Sequence, residues 1–131
     1  IGVAFMNTEW AAKNKEAAQR FFVAYMRAAR DYCVAYHGGP NRKEVIEIAL
    51  RNGLDKSAES IERNPWTGRG MDGIINVAGL LDQQAYYQKV GLVKTAAPAE
   101  KIFDRQYVDY ANKQLGPPPQ VNPDSKLENC R

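Results

Sequence analysis

Apolar residues recur at steps of three and four along several segments of the chain, and this pattern predicts amphipathic helices. The longest such segment follows Asn14, a residue type favoured at the start of a helix. Its apolar residues predict one continuous stripe, formed by Phe21, Phe22, Tyr25, Ala28, Ala29, Tyr32, Cys33 and Tyr36. Arg20, Arg27, Arg30 and Asp31 fall mostly outside this stripe. We therefore expect a long helix with one apolar face.

Glycines and polar caps mark the next helix boundaries. The long helix should end at Gly-Gly-Pro, residues 38–40, because proline cannot continue a helix. Asn41 is expected to start a second helix, with Glu44 three residues on as in a capping box. Gly53 lies where this helix needs a left-handed residue to end. A third, short helix should run to about Glu62.

The second half of the chain predicts two more capped helices. Asn76 can cap the first, which Gly91 should close in the manner of Gly53. Asp104 is expected to cap the last helix, and Gly116 to end it before three consecutive prolines. The chain should therefore contain four to five helices in all.

The apolar run from Ile1 to Met6 is strand-like, and no second strand accompanies it. Backbone groups of an isolated buried strand would lack partners, at about 1 to 3 kcal/mol each. We therefore expect a mainly α fold with one amino-terminal strand, as a segment of a larger protein that supplies the rest of the sheet. Residues 1–116 would form this segment, and residues 117–131 a Pro-rich, poorly ordered tail.

Composition and charge exclude several function classes. The chain is 44% apolar and 25% charged, as ordinary globular domains are, and its net charge of +3 comes from interspersed signs. No basic stripe is present that would bind nucleic acid. The apolar runs are far shorter than the roughly 20 residues of a membrane-spanning helix. No targeting segment can be recognised.

Few residues could carry chemistry. His37 is the only histidine, and no nucleophile and acid accompany it in a recognisable motif, so we expect no enzyme. Cys33 and Cys130 lack metal-ligand spacing, and neither a metal nor a cofactor is expected. Because 97 residues separate these cysteines and the second lies in the tail, free thiols are favoured over a disulfide.

The loop of residues 64–73 contains three glycines and one proline, and it carries the only candidates for ligand contact. Trp66 could stack on an anionic ligand and Arg69 could pair with it. The simpler interpretation is that the indole packs onto a neighbouring helix. The glycines follow no strand and lack a phosphate-binding lysine, which argues against a nucleotide site.

Several of these segments together resemble the carboxyl-terminal part of substrate-binding proteins of ABC importers, in the branch for nitrate, sulfonate, taurine and pyrimidine precursors. The resemblance covers roughly residues 3 to 116. Residues 13–16 match a helix start of that family, except that Lys15 replaces the usual proline. Two later patterns match at Asp82, Gln83, Gln84, Tyr87, Gly91, Leu92 and Val93, and at Asp104, Tyr107 to Ala111, Leu115 and Gly116.

The resemblance implies that the full-length parent has an α/β fold of the type II periplasmic binding proteins. Such a protein closes on a small solute by a hinge motion and delivers it to membrane permease subunits. It also implies a periplasmic or otherwise extracytoplasmic location. The family's ligand contacts lie mainly in cleft loops outside this segment, so no ligand-binding residue is assigned by resemblance. Scaffold roles are expected for Asn14, Asn41, Gly53, Asn76, Asp82, Gln83, Gln84, Gly91, Asp104 and Gly116.

An alternative is a free-standing helical module that holds a protein or peptide partner in an apolar groove between helices. If the chain is instead a segment of a binding protein, its helices lack the sheet that they cover in the parent. Apolar helix faces would then be exposed, and we expect the isolated chain to self-associate through them.

Overall fold

The helix pattern of the sequence is largely reproduced in the computed structural model, which describes residues 4–125 and Cys130. Seven helices are present in this part: α1 (Thr8–Lys13), α2 (Lys15–Tyr36), α3 (Arg42–Arg51), α4 (Ala58–Arg63), α5 (Val77–Lys89), α6 (Ala99–Ile102) and α7 (Gln106–Leu115). The prediction of a mainly α chain is confirmed. The helix count exceeds the expected four to five because two short helices, α1 and α6, add to the longer ones.

The predicted amino-terminal strand is absent from the described residues of this run. Residues 1–3 lie outside the described part, and residues 4–6 form no strand. The physical reason is the absence of a neighbour, because the described residues contain no other strand with which this run could pair. Phe5 accordingly remains 90% exposed.

Asn14, Asn41 and Asn76 all precede the helices that they were predicted to start, but only Asn76 caps its helix through its side chain. The side chain of Asn76 accepts a hydrogen bond from the Gly79 N–H at 2.9 Å and so caps α5. Asn14 precedes α2, but its side chain donates backwards to the Trp10 carbonyl at 2.9 Å, so it closes α1. Asn41 precedes α3 and donates to the carbonyl of Asp31 instead of forming a capping box. For Asn14 and Asn41, a nearby carbonyl competes for the amide side chain.

The remaining cap predictions hold with one shift. Gly53 and Gly91 have φ of +71° and +79°, and the N–H after each glycine bonds five residues back, at 3.0 and 2.9 Å. This is the hydrogen-bond pattern of a left-handed helix end. Gly116 also has positive φ and ends α7. Arg105 occupies the cap position of α7, while the carboxylate of Asp104 accepts from the Gln106 N–H at 3.0 Å.

Helix α2 is the centre of the fold, since α1, α3 and α7 all pack against it and α4 packs against α3. One small cluster joins the first, second and last helices through Ala11, Ala18 and Tyr107. The ring of Phe22 stacks on Tyr107 with centroids 5.7 Å apart. The Tyr107 hydroxyl donates to the Ala11 carbonyl at 3.3 Å, which satisfies this buried polar group.

The buried face of α2 differs from the predicted stripe. Its buried residues are Ala18, Met26, Ala29, Arg30, Cys33 and Ala35. Phe21 and Tyr25 remain 48% and 38% exposed and stack on each other at 6.3 Å instead of entering the core. Helix α2 directs Met26, and not its most aromatic side, towards the core. The reason is that α7 and the loop before α5 pack against the side of Met26.

Arg30 was expected outside the apolar stripe but is only 6% exposed. Its guanidinium donates to the Met71 carbonyl at 3.3 Å, to Oδ1 of Asn112 at 3.1 Å and to the Pro117 carbonyl at 3.5 Å. Asn112 in turn donates to the Asp72 carbonyl at 2.8 Å. This network joins α2, α7 and two loops, and it supplies the acceptors that a buried cation needs.

Gly73 is required by both backbone and packing, and this can be tested. Its φ is +70°, and an added Cβ would lie 2.7 Å from Cγ1 of Val108 and 3.0 Å from Sδ of Met26. We expect Gly73→Ala to lower the free energy of unfolding by about 2 to 3 kcal/mol, measured by urea denaturation.

Gly53→Ala is the matched control for this experiment. Gly53 has almost the same φ, +71°, but a Cβ there would meet nothing within 4 Å. It should therefore lose only the backbone term, about 1 kcal/mol. Equal losses in the two variants would show that the contact with Val108 is not important.

Candidate functional site

Trp66 packs down onto α2 and forms the centre of a polar and aromatic cluster. Its ring stacks on Tyr32 with centroids 5.3 Å apart and an interplanar angle of 24°. The indole N–H donates to the Ile61 carbonyl at 2.8 Å, and the Tyr32 hydroxyl donates to the Thr67 carbonyl at 2.9 Å. Burial raises the pKa of Tyr32, and the positive charge of Arg69 opposes this shift. Both aromatic residues are thus held in place at their polar ends.

Two arginines complete this group, which we call the arginine–aromatic cluster: Tyr32, Arg42, Trp66 and Arg69. The guanidinium carbon of Arg42 lies 4.2 Å from the Trp66 ring centroid, and that of Arg69 lies 5.6 Å from the Tyr32 centroid. Such cation–π contacts are favourable by about 0.5 to 1 kcal/mol at exposed sites. The cluster connects α2, α3 and the loop that follows α4.

The two arginines differ in their other partners. Arg42 donates through Nε to both carboxylate oxygens of Glu62, at 2.9 and 3.0 Å, and through Nη1 to the Ala35 carbonyl at 2.9 Å. The salt bridges of the described residues include Arg42 with Glu62 but none made by Arg69. The side chain of Arg69 is therefore a cation whose charge no carboxylate of the described chain neutralises.

A cavity of about 320 Å³ lies beside the cluster, between α2, α3, α4 and the loop after α4. Its apolar lining comes from Val45, Ala49, Leu54 and Ile61, and its polar lining includes Asp55, Asn64 and Arg69. Asp55 accepts from the Ser60 hydroxyl at 2.7 Å and from the Lys56 N–H. These bonds, with that from Ser60 foremost, lower the pKa of the Asp55 carboxyl.

The expectation of free thiols is wrong, because Cys33 and Cys130 form a disulfide with Cα atoms 5.3 Å apart. Their long separation in sequence does not prevent this, since the entropy of closing a loop grows only slowly with its length. The half-cystines lie in a buried cluster with Met71, against which Val121 packs. The disulfide thus attaches the carboxyl-terminal residues to α2.

His37 lies just after α2 and contacts the carboxyl-terminal residues Ser125 and Cys130. It is only 4% exposed, and its Nδ1 is 2.8 Å from Oγ of Ser125 while its Nε2 is 3.1 Å from the Cys130 carbonyl oxygen. Both ring nitrogens therefore have partners. Specific contacts thus reach part of the predicted tail, whereas residues 126–129 and 131 lie outside the described residues and the order of the tail as a whole stays a prediction.

The residues of α5 that match the binding-protein pattern make contacts within and next to the helix. The amide of Gln84 donates to the Ala97 carbonyl and accepts from the Ala97 N–H, both at 3.0 Å, and so holds the loop after α5. Gln83 donates to the Tyr87 hydroxyl at 3.2 Å, and Asp82 is exposed.

No residue of α5 is buried, and α5 is absent from the extensive helix–helix contacts of the described part. Leu92, just after it, is 73% exposed and Tyr86 is 59% exposed. Ile74, Val77 and Val90 are also exposed. These residues lie at the two ends of α5 and do not share one face of it, since Tyr86 follows Val77 by about two and a half helical turns. We call the five exposed residues together the α5 apolar surface: Ile74, Val77, Tyr86, Val90 and Leu92.

The described residues hold no group of three or more His, Cys, Asp or Glu side chains placed to bind a metal ion. Among the helices of this part, none combines the length and the apolar character needed to cross a membrane.

The two predicted ligand-contact residues, Trp66 and Arg69, lie in one cluster. The residues for which scaffold roles were expected are instead spread along the chain, mostly at helix ends. The sequence did not identify Tyr32 and Arg42 as members of the cluster. The spacing of Tyr32 and Tyr36 by one helical turn was a signal for an aromatic face, but nothing local indicated that Trp66 would reach it.

Comparison with known proteins finds no relative of this chain. No family model matches the chain, and neither curated proteins nor solved structures contain a match.

Proposed function

We propose that this chain is the carboxyl-terminal part of the solute-binding component of an ABC importer. The solute would belong to the nitrate, sulfonate, taurine, aromatic acid or pyrimidine-precursor class. The proposal starts from the ordered patterns around Asp82 and Asp104. In such a parent, with its α/β type II binding-protein fold, this segment returns to the first lobe and its helices cover the sheet of that lobe.

The observation that carries the proposal is the α5 apolar surface. Helix α5 carries one of the two later patterns of the resemblance, and it is well formed, with a side-chain cap at Asn76 and a left-handed end at Gly91. Yet it buries none of its own residues within the described chain. A capped helix that buries none of its residues and leaves apolar residues exposed at both ends is consistent with a segment that packs on a sheet in a larger protein.

The disulfide between Cys33 and Cys130 supports an extracytoplasmic location. Disulfides form and persist in oxidising compartments such as the periplasm and are rare in the cytosol. A periplasmic binding component would meet these conditions.

The proposed role is capture and delivery without covalent chemistry. The partners would be a small-molecule solute and the permease subunits, with no cofactor and no nucleic acid. The cleft that holds the transported solute would be built mainly from loops of the rest of the parent. The residues around α5 and α7 would then serve as scaffold, as their helix-capping and loop-holding contacts suggest.

The proposal predicts a ligand-induced rise in the melting temperature of the full-length parent. The test set is nitrate, alkanesulfonates, taurine, aromatic acids and pyrimidines. A solute at about 100 times its dissociation constant stabilises the folded state by about 2.7 kcal/mol, which should raise the melting temperature by about 5 °C or more. Differential scanning fluorimetry measures this shift. The absence of a shift with every solute at millimolar concentration would contradict the proposal.

The α5 apolar surface also favours the second candidate, a free-standing helical interaction module. That function requires no solute and predicts an unchanged melting temperature with the whole test set. Self-association of the isolated chain through the α5 apolar surface stays a prediction under both proposals, since either function leaves this surface open in the isolated chain.

A further inference from the structure

The cavity beside the arginine–aromatic cluster has the size and lining of a site for a small ligand. Its volume of about 320 Å³ lies at the lower end of the range for ligand pockets, roughly 300 to 1,000 Å³. Four aliphatic side chains contribute to its lining, from Val45, Ala49, Leu54 and Ile61. Such a surface favours an apolar ligand body, because removing aliphatic area from water is favourable by about 25 cal/mol per Å².

The aromatic rings of the cluster leave little room for a stacked ring. Tyr32 lies against the indole of Trp66 at 5.3 Å, and the guanidinium of Arg42 lies 4.2 Å from it. Arg69 lies over the Tyr32 ring. Since these faces already have partners, a ligand would contact the aliphatic side chains and the ring edges. An alkyl chain suits this lining better than an aromatic ring.

Charge selects the head group of the ligand. Arg42 is neutralised by Glu62, whereas Asp55 forms no ion pair among the described residues and is hydrogen-bonded by the Ser60 hydroxyl and the backbone N–H of Lys56. Arg69 forms no ion pair with any described residue, Asp55 included, although both line the cavity. The accepting sites of Asp55 already receive hydrogen bonds, whereas Arg69 is the cavity's cation without a carboxylate partner, and its planar fork of donors matches a carboxylate.

The cavity wall is also preorganised. The Trp66 N–H and the Tyr32 hydroxyl each donate to a backbone carbonyl, so neither ring needs to turn when a ligand enters. A wall that is already fixed reduces the ordering entropy lost on binding.

We propose that this cavity binds a small aliphatic carboxylate, with its alkyl chain against Val45, Ala49 and Ile61 and its carboxylate on Arg69. The site belongs to this chain alone and is separate from the cleft inferred for the parent. It does not rest on the proposed transport function, and either proposal can fail without the other.

Sodium hexanoate is the probe for this site, and Trp66 is the reporter. Trp10, at the other end of the molecule, is replaced by phenylalanine so that Trp66 is the only tryptophan. Titration of the Trp10→Phe chain with hexanoate at low salt should give a saturable change in Trp66 fluorescence. Hexan-1-ol, with the same chain length and no charge, should bind about tenfold more weakly.

Two substitutions separate the charge from the apolar wall. Arg69→Gln should weaken hexanoate binding by about tenfold and leave hexan-1-ol binding unchanged. Leu54→Ser should weaken both ligands by about threefold, because it removes part of the apolar lining. Arg63→Gln is the matched control, since Arg63 is an exposed arginine of α4 that pairs with Glu59 and does not line the cavity.

Three fluorescence results and one NMR result would each overturn the proposal. The first is a fluorescence change with hexanoate that does not saturate. The second is equal affinity for hexanoate and hexan-1-ol. The third is equal weakening by Arg63→Gln and Arg69→Gln, which would show a general charge effect. Backbone NMR shifts provide a second readout, and hexanoate must move residues of α3 and residues 64–70, whereas shifts confined to α5 would place the ligand on the α5 apolar surface.

Discussion

Replacing Cys130 with alanine is expected to lower the free energy of unfolding by about 3 kcal/mol and the melting temperature by about 10 °C. The disulfide with Cys33 closes a loop whose ends are 97 residues apart in sequence. Without it, the unfolded chain gains conformational freedom, and long loops gain the most. The folded chain also loses a covalent link between α2 and its carboxyl-terminal residues. Thermal unfolding followed by circular dichroism measures the change.

Reduction of the unsubstituted chain provides the control for Cys130→Ala. A reductant should lower its melting temperature to about the value of the variant, and it should leave the variant unaffected. The far-ultraviolet spectrum at room temperature should stay helical in both, because α2 packs on α7 and α1 through contacts that do not involve the disulfide. A melting temperature insensitive to reductant would show that the disulfide does not contribute to stability.

Replacing Arg30 with methionine should have a comparable effect, a loss of about 3 kcal/mol in the free energy of unfolding. Methionine fills much of the same space but donates no hydrogen bond. The Met71 carbonyl and Oδ1 of Asn112 would then each lose a charged donor in a buried or partly buried setting. Each acceptor left without a partner costs about 1 to 3 kcal/mol. Urea denaturation monitored by fluorescence gives the difference.

Arg27→Met is the matched control, because Arg27 lies on the same helix but is exposed. Its substitution should change the free energy of unfolding by no more than about 0.5 kcal/mol. If both variants lose the same amount, the effect belongs to helix propensity or net charge, and the contacts of Arg30 are not responsible for it.

These two predictions concern how the loop of residues 64–73 is positioned. Arg30 bonds to the Met71 carbonyl, and the disulfide packs against the Met71 side chain. The same loop carries Trp66 and Arg69, which line the cavity together with residues of α3 and α4. Both substitutions should therefore also weaken hexanoate binding if the cavity is a ligand site, because a loosened loop no longer holds Arg69 in place.

Much of the fold could be predicted from local patterns. The long helix ends where Gly38 and Pro40 predicted, and α5 begins with Asn76 as its cap. The ends at Gly53 and Gly91 were predicted because a left-handed residue requires glycine at little steric cost. Such features depend on residues within one or two turns of each other, so the sequence alone contains the information.

The candidate site was predictable only in part. The loop of residues 64–73 was recognised as a surface loop, and Trp66 and Arg69 were identified as its residues able to contact a ligand. Their partners Tyr32 and Arg42 lie on other helices, and their contribution depends on how α2, α3 and the loop come together. Amphipathic periodicity indicates that a face is buried but does not say which loop will cover it.

The sequence by itself determined the mainly helical character, most helix boundaries and the glycine ends, because these follow from backbone preferences and short-range hydrogen bonds. The tertiary structure alone decided the buried face of α2, the burial of Arg30 and the pairing of Cys33 with Cys130. It also left the α5 apolar surface without a partner in the described chain. The physical reason is distance along the chain: the acceptors for the buried guanidinium, the second thiol and the elements that cover α2 all come from residues far apart in sequence, which only packing brings together.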